Sequence, residues 1–345
     1  MKKRILVTGG TGYIGSHTVV ELQNSGYEVV IVDNLSNSRA DVVDSIEQIS
    51  GVRPAFEKVD CLDYEGLDNV FAKYPGIQGI IHFAASKAVG ESVQKPLEYY
   101  YNNLLSTITL CDVMQKYDCK KIIFSSSATV YGNPKTVPIN EMFPTGGVTN
   151  PYGATKLMCE RILKDLYSSD NDWSICLLRY FNPIGGHESG LLGEEPNGIP
   201  NNLMPYIVKV AAKELPYLNV FGNDYHTKDG TGVRDFIHVV DLAKGHVKAL
   251  NKVNDCNGVH VYNLGTGKGY SVLELVRTFE KTNSVVVPYV VAPRRMGDIA
   301  ECYSDPNKAY KELGWRAEKS IDDMCKDSWR YFINSKGEME TCMII

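Results

Sequence analysis

The chain has 345 residues, and at about 150 residues per domain that is enough for two domains, or one enlarged one, with a sizeable core. Lys and Arg number 36 against 41 Asp and Glu, a formal net charge of −5 with no long basic run, so general nucleic-acid binding has no electrostatic support. Hydrophobic content of 43% and charged content of 22% exclude a disordered or fibrous chain.

The N-terminal apolar run Ile5-Leu6-Val7 ends before Gly9, too short for a signal peptide or a membrane span. Nine cysteines are scattered without a C-x-x-C pair, which reads as free thiols in a reducing compartment and a cytoplasmic location. Further β-branched runs follow at Val29 to Val32, Ala55 to Val59, Ile80 to Phe83, Ile122 to Phe124 and Ile175 to Leu178. Apolar on both faces, they fit the buried strands of a parallel sheet. Leu97, Tyr101, Leu104, Ile108 and Cys111 recur at helical spacing and mark the apolar face of a helix. The alternation predicts a doubly wound α/β sheet over residues 1–181. From Asn182 to Asn202 the chain is dense in Gly, Pro and Asn, which predicts a binding loop or lid. A strand at Val261 to Leu264 and helices opening near Ser271, Pro306 (capped by Asp305) and Ile321 predict a smaller mixed α/β domain over 182–345. Segments near 236–265 are expected to cross back to the first domain.

Gly9, Gly12 and Gly15, with Tyr13 and Ile14 between the last two, stand between the first strand and a helix. Such a turn lets backbone approach a pyrophosphate and aims free N–H groups of a helix N-terminus at it. Asp33 ends the next strand, 18 residues beyond Gly15, where a carboxylate binds both ribose hydroxyls and repels a 2′-phosphate. NAD is therefore favoured over NADP, with Arg39 close enough in sequence to soften that preference. Asp60, after the third strand, is either an adenine contact or the cap of the following helix.

Asn150 and Pro151 open a helix that carries Tyr152 and Lys156 on one face. A phenol with a pKa near 10 is a poor base, and a neighbouring ammonium together with a positive nicotinamide favours the phenolate. Ser125, Ser126 and Ser127 directly follow the strand at Ile122 to Phe124. At the carboxyl end of a strand one of these hydroxyls is placed to bond a substrate oxygen, the others serving loop backbone. The seven histidines show no H-x-x-x-H spacing, and no metal is expected.

This glycine loop, serine and Tyr-x-x-x-Lys resemble the extended short-chain dehydrogenase/reductase superfamily, and within it the UDP-glucose 4-epimerase family, over nearly the whole chain. The strings are Asp33-Asn34-Leu35, Phe83 through Ser92, Phe124 through Gly132, Arg179 through Pro183, Asn201 through Pro205 and Asp229 through Asp235. The resemblance implies a Rossmann NAD-binding domain, NAD that stays bound, and reversible inversion at C4 of UDP-glucose and UDP-galactose through a 4-keto sugar. It makes Tyr152 the base, Lys156 the ribose contact and Ser127 the sugar-hydroxyl contact. Asn34, Phe83, Lys87, Asn102 and Tyr180 join the implied cofactor set. Arg234 and Arg295 become diphosphate contacts, suited by their guanidinium forks. Asn202, Leu203 and Phe221 fall at the nucleotide end, and Asn182 and Asp298 line the substrate. Cys302 matches a position beside the sugar C2 group, where a small residue admits an N-acetyl group; activity on UDP-N-acetylglucosamine and UDP-N-acetylgalactosamine is expected too.

A sugar-nucleotide 4,6-dehydratase shares the implied fold and first oxidation but also needs an acid/base pair for elimination, and dehydratases of similar sequence carry it as Asp and Glu after the serine position. Ala128 and Thr129 stand there, and neither transfers the required protons. A dehydrogenase with exchangeable cofactor would have to accumulate reduced NAD, and a non-catalytic NAD-sensing protein would have no use for Tyr152, Lys156 and Ser127 together. The resemblance also implies a homodimer through helices around 97–117 and 151–167.

Overall fold

The computed structural model describes residues 3–342 apart from Asn197, Ile199, Asn201 and Met296; Asn201 of the strings above lies outside the described residues. In chain order the first half runs β1 (Arg4–Thr8), α1 (Tyr13–Asn24), β2 (Glu28–Val32), α2 (Val42–Ser50), β3 (Ala55–Glu57), α3 (Tyr64–Lys73) and β4 (Ile77–His82). It continues with α4 (Val89–Gln94), α5 (Pro96–Lys116), β5 (Lys121–Ser127), α6 (Pro151–Ser169) and β6 (Ser174–Tyr180). Next come β7 (Asn182–Ile184), α7 (Leu203–Ala211), β8 (Leu218–Phe221), β9 (Val233–Arg234), β10 (Phe236–His238), α8 (Val239–Asp255) and β11 (Gly258–Leu264). Last are β12 (Tyr270–Ser271), α9 (Val272–Asn283), β13 (Tyr289–Ala292), β14 (Glu301–Cys302), α10 (Asn307–Leu313) and α11 (Ile321–Cys342).

Seven strands form one parallel sheet in the order β11-β6-β5-β4-β1-β2-β3. Their β-branched residues are buried on both faces. Val7, Ile31, Ile81 and Cys176 pack with Val19, Leu22 and Leu250 on one side, and Leu6, Val30, Ile80 and Ile122 with Leu67, Leu110 and Leu163 on the other. The winding reverses between β1 and β4, and the crevice at their carboxyl ends is where such sheets take ligands. β11 returns from the second half of the chain to pair with β6. Small sheets β10-β7, β12-β9-β14 and β13-β8 flank the crevice, over a separate core of Ile207, Val220, Phe236, Phe279 and Met324. Among the described residues no helix is long and apolar enough to cross a membrane, and the cysteines whose side chains are described are free thiols.

Three expectations need correction. The apolar stripe read from α5 packs only in part: Cys111 is buried and Leu104 packs beside it, but Leu97 is 81% exposed, Tyr101 65% and Ile108 45%. The helix instead buries Tyr99, Asn103, Ser106, Thr107, Leu110 and Met114. Half of that face is polar because Asn103 and Thr107 bond to Ser86, Thr155 and Cys159 around the start of α6, so hydrophobic periodicity catches only part of the packed side. The third strand stops at Glu57, two residues short of Val59. The helix expected at Pro306 begins at Asn307, although the Asp305 carboxylate still takes the Asn307 N–H at 3.0 Å.

Candidate active site

The glycine turn is built for close approach. Gly9 has φ of +68°, and a Cβ there would lie 2.9 Å from the Ala84 nitrogen, so only glycine fits between β1 and the chain leaving β4. A Cβ at Gly15 would overlap the Gly9 carbonyl oxygen. Gly12 occupies the cap position of α1 without a side-chain cap, which leaves N–H groups of the first turn for an anion. The buried Asp33 carboxylate sits beside the turn and accepts from the Thr11 N–H (3.2 Å), the Leu35 N–H (2.9 Å) and the Ser38 hydroxyl (3.1 Å). A cradle with uncapped N–H groups and a carboxylate at the next strand end fits a dinucleotide with free ribose hydroxyls. Arg39 bonds Asp41 and Glu195, so its guanidinium is directed to carboxylates. Asp60 does not cap α3, a role held by Asp63; it accepts from Asn34 Nδ2 at 2.8 Å, at the same strand ends.

Other expected cofactor residues surround this cradle unevenly. The Phe83 backbone passes Gly9, but its ring packs on His246 with centroids 4.8 Å apart. Tyr180 is buried at the end of β6 and its hydroxyl bonds His246 Nε2. Asn102 Nδ2 donates to Ser86 Oγ and Asn103 Oδ1. Tyr13 donates from its hydroxyl to the Gly185 carbonyl at 2.8 Å, and Ile14 packs against the core beneath the sheet.

Tyr152 and Lys156 lie on the first turns of α6, whose cap is Asn150 accepting from the Gly153 N–H. The Ser127 hydroxyl, at the end of β5, lies beside the Tyr152 phenol and accepts from the Thr129 N–H at 3.2 Å. Lys156 Nζ donates to the Ser125 carbonyl at 2.6 Å and stands 5.9 Å from the Tyr152 ring centroid. The expected lowering of the phenol is not built into the protein alone. Burial pushes Tyr152 up to about 12, the nearby Ser127 hydroxyl offsetting only part, while burial brings Lys156 down to about 8.

Beneath this pair is a buried network that sequence reasoning missed. Glu160 accepts from Ser126 Oγ (2.6 Å) and from Arg179 Nε and Nη2 (2.8 and 2.7 Å). Arg179 continues to the Tyr131 hydroxyl, and Tyr131 to Asn263. Its members are separated by 19 to 132 positions, so no local spacing reveals them. Of the three serines, Ser126 is spent on this network and Ser127 faces Tyr152.

At the other end, Arg295 Nε bonds Asp298 at 2.9 Å and Arg234 Nη2 lies 3.8 Å from the same carboxylate. The Arg295 guanidinium stacks 4.9 Å over the Phe221 ring. Cys302 pairs with Arg234 in register and packs against Val130, Tyr131, Ile139 and Phe181. Asn182 is exposed, its backbone N–H bonded to the Asp235 carbonyl. Asn202 Nδ2 donates to Glu194 Oε1 at 2.6 Å, 3.6 Å from which stands Lys87 Nζ. Glu194 carries no signal in the sequence, because its partners lie 8 and 107 positions away. Leu203 opens α7 and packs on the core under it.

A family model described as "GDP-mannose 4,6 dehydratase" matches residues 6–328. The chain is 62% identical to a UDP-glucose 4-epimerase of Bacillus subtilis, covering 95% of this chain and 96% of that one. It is 56% identical to a UDP-glucose 4-epimerase of Pasteurella multocida over 95% and 96%. Its structure is similar to that of a UDP-glucose 4-epimerase from Bifidobacterium longum in complex with NAD+ and UDP, with a TM-score of 0.94 and 56% identity over 97% and 99%.

Proposed function

The chain belongs to the UDP-glucose 4-epimerase family of extended short-chain dehydrogenases/reductases, and from that membership we propose that it is an isomerase interconverting UDP-glucose and UDP-galactose with NAD held throughout. The solved relative that carries NAD+ and UDP supports both the cofactor and the nucleotide end of the substrate. The observation that carries the reading is the placement of Ser127, Tyr152 and Lys156 together at the carboxyl end of β5, with Lys156 fixed on the Ser125 carbonyl, followed by Ala128 and Thr129 on a 3₁₀ turn. Elimination of water across C5 and C6 needs an acid/base pair, which related dehydratases carry as Asp and Glu directly after the serine, and alanine and threonine in those places do not provide one. The broad family model therefore does not carry its dehydratase chemistry to this chain. Incubation with UDP-galactose is expected to yield UDP-glucose with all oxygens kept; a 4-keto-6-deoxy product would sink the reading.

Inversion at C4 through a 4-keto sugar requires one group to take the C4 hydroxyl proton and return it. Tyr152 Oη is that group, and Ser127 Oγ bonds the same sugar oxygen and aligns it. Lys156, fixed by the Ser125 carbonyl, supplies positive charge behind the phenol and a donor to the nicotinamide ribose. When bound on the glycine cradle and Asp33, NAD supplies reversible hydride acceptance and a positive ring beside Tyr152. Asn34 and Asp60 border the adenosine end, and Lys87, Asn102, Phe83 and Tyr180 the nicotinamide end. Arg234 and Arg295 grip the diphosphate once Asp298 yields them, with Phe221, Asn202 and Leu203 around the base. The sugar meets Asn182 and Cys302 with fewer fixed donors, so it can turn over while its nucleotide stays held.

Cys302 presents a small thiol in a packed wall, which supports turnover of the N-acetylated UDP-hexoses as well. Cys302→Tyr is expected to lower kcat/KM on UDP-N-acetylgalactosamine by about a hundredfold, the scale of a pocket clash, while sparing UDP-galactose. Steady-state rates on both substrates check it, and equal effects on the two would reject the assignment.

The exposed Leu97, Tyr101, Ile108 and Met158 on neighbouring α5 and α6 support a homodimer through a four-helix contact. Leu97→Asp with Tyr101→Asp is expected to convert it to monomer in light scattering. An unchanged mass would place the contact elsewhere.

A further inference from the structure

The segment following β7 crosses the mouth of the cofactor crevice and is fastened at both sides. It starts where Gly185 accepts the Tyr13 hydroxyl of the glycine turn, and its N–H bonds Ser328 on α11 at 3.1 Å. It then lies flat on α11. A Cβ at Gly193 would overlap the Tyr331 ring, and one at Gly190 the Asn334 amide, so the glycines that made this stretch look like a loop let its backbone touch the helix. The Arg330 guanidinium holds the Glu188 carbonyl at 2.7 Å. At the far end Glu195 Oε2 receives the Arg39 guanidinium at 2.8 Å and the Tyr331 hydroxyl at 2.9 Å.

Arg39 stands in the loop after β2, next to Ser38, whose hydroxyl bonds Asp33. The three groups thus join the adenosine side of the crevice, the crossing segment and the C-terminal helix at one point. Nothing in the C4 chemistry calls for them. A cofactor that must not leave between turnovers does call for a fastening across its exit.

We infer that Arg39, Glu195 and Tyr331 form a clasp that sets how long NAD stays bound, with no part in the chemical step. The inference rests on the proposed NAD-dependent reading. Breaking the clasp detaches the crossing segment from the loop after β2, while Tyr13, Ser328, the α11 packing and the Glu194 contacts with Asn202 and Lys87 keep the rest in place, so the effect falls on cofactor exit. An exposed ion pair reinforced by a phenol is expected to slow exit by about threefold to tenfold.

The test is exchange of bound NAD for isotopically labelled NAD, followed by mass spectrometry of the protein's extracted nucleotide. Glu195→Gln, Arg39→Gln and Tyr331→Phe, which keeps the ring under Gly193, are each expected to speed exchange about threefold to tenfold. The double variant Arg39→Gln/Glu195→Gln is expected to match the single ones, because one clasp can be broken only once. Epimerisation at saturating NAD stays within about twofold of the parent. Exchange unchanged in Glu195→Gln, or fully multiplicative effects in the double variant, would overturn the clasp. Parent protein that never holds NAD would instead overturn the cofactor reading beneath it.

Discussion

Tyr152→Phe is expected to lower kcat for UDP-galactose by about 10²- to 10⁴-fold, the range associated with a positioned acid/base group. The substitution removes one oxygen and keeps the ring, so the packing of α6 and the cofactor content should be unchanged. Burial holds the phenol near 12, and the nearby Ser127 hydroxyl does not bring it into the neutral range. At about 1.36 kcal/mol per unit, positive charge near Oη has to do substantial work before the proton moves. Lys156 is the fixed source of that charge; burial lowers its own pKa to about 8, so it is still mostly protonated at pH 7. Lys156 loses its charge as pH rises through that value. Steady-state kcat with a check of bound NAD tests this directly, and a fall of less than tenfold would remove Tyr152 from the proton transfer.

Glu160→Leu carries the largest expected loss of stability, about 3–5 kcal/mol, because it strands the Arg179 guanidinium without its partner. Glu160 is fully buried and Arg179 is 3% exposed. Burial alone would push the Glu160 carboxyl up; Arg179, with Ser126 and Lys164, more than reverses this and holds it below the usual range. The folded-state pKa is thus depressed, so the stability it brings is present above the unfolded value near 4.3 and is lost as pH falls through the folded one. A urea titration at pH 7 and again at low pH should show the gap between parent and variant closing in acid. Glu160→Leu with Arg179→Met should recover much of the loss, since an apolar pair leaves no charge unpaired. An equal midpoint for Glu160→Leu and parent would mean the pair contributes nothing.

What the sequence could disclose follows from distance along the chain. The glycine turn, its helix and Asp33 lie within one β-α-β unit, and their spacing states their relation. Tyr152 and Lys156 share a helix face by being four apart. The buried network around Glu160 and the Glu194 link to Lys87 and Asn202 were invisible, because their partners meet only after the sheet is wound. Periodicity was only partly informative at α5, where the packed face is half polar and Leu97, Tyr101 and Ile108 of the apolar stripe look outward while Leu104 and Cys111 pack. Arg39 likewise has a partner 156 positions away that its nearness to Asp33 in sequence does not show. Arg234, Arg295 and Phe221 carry no local signal at all, and were reached through resemblance alone.

The central claim is that C4 is inverted with its hydrogen kept and without added cofactor. Proton NMR of UDP-galactose deuterated at C4, incubated with purified protein and no added NAD, tests it most directly. The expected result is a growing UDP-glucose anomeric signal while C4 stays deuterated. A proton appearing at C4 would contradict it, as would silence broken only by NAD consumed one for each sugar.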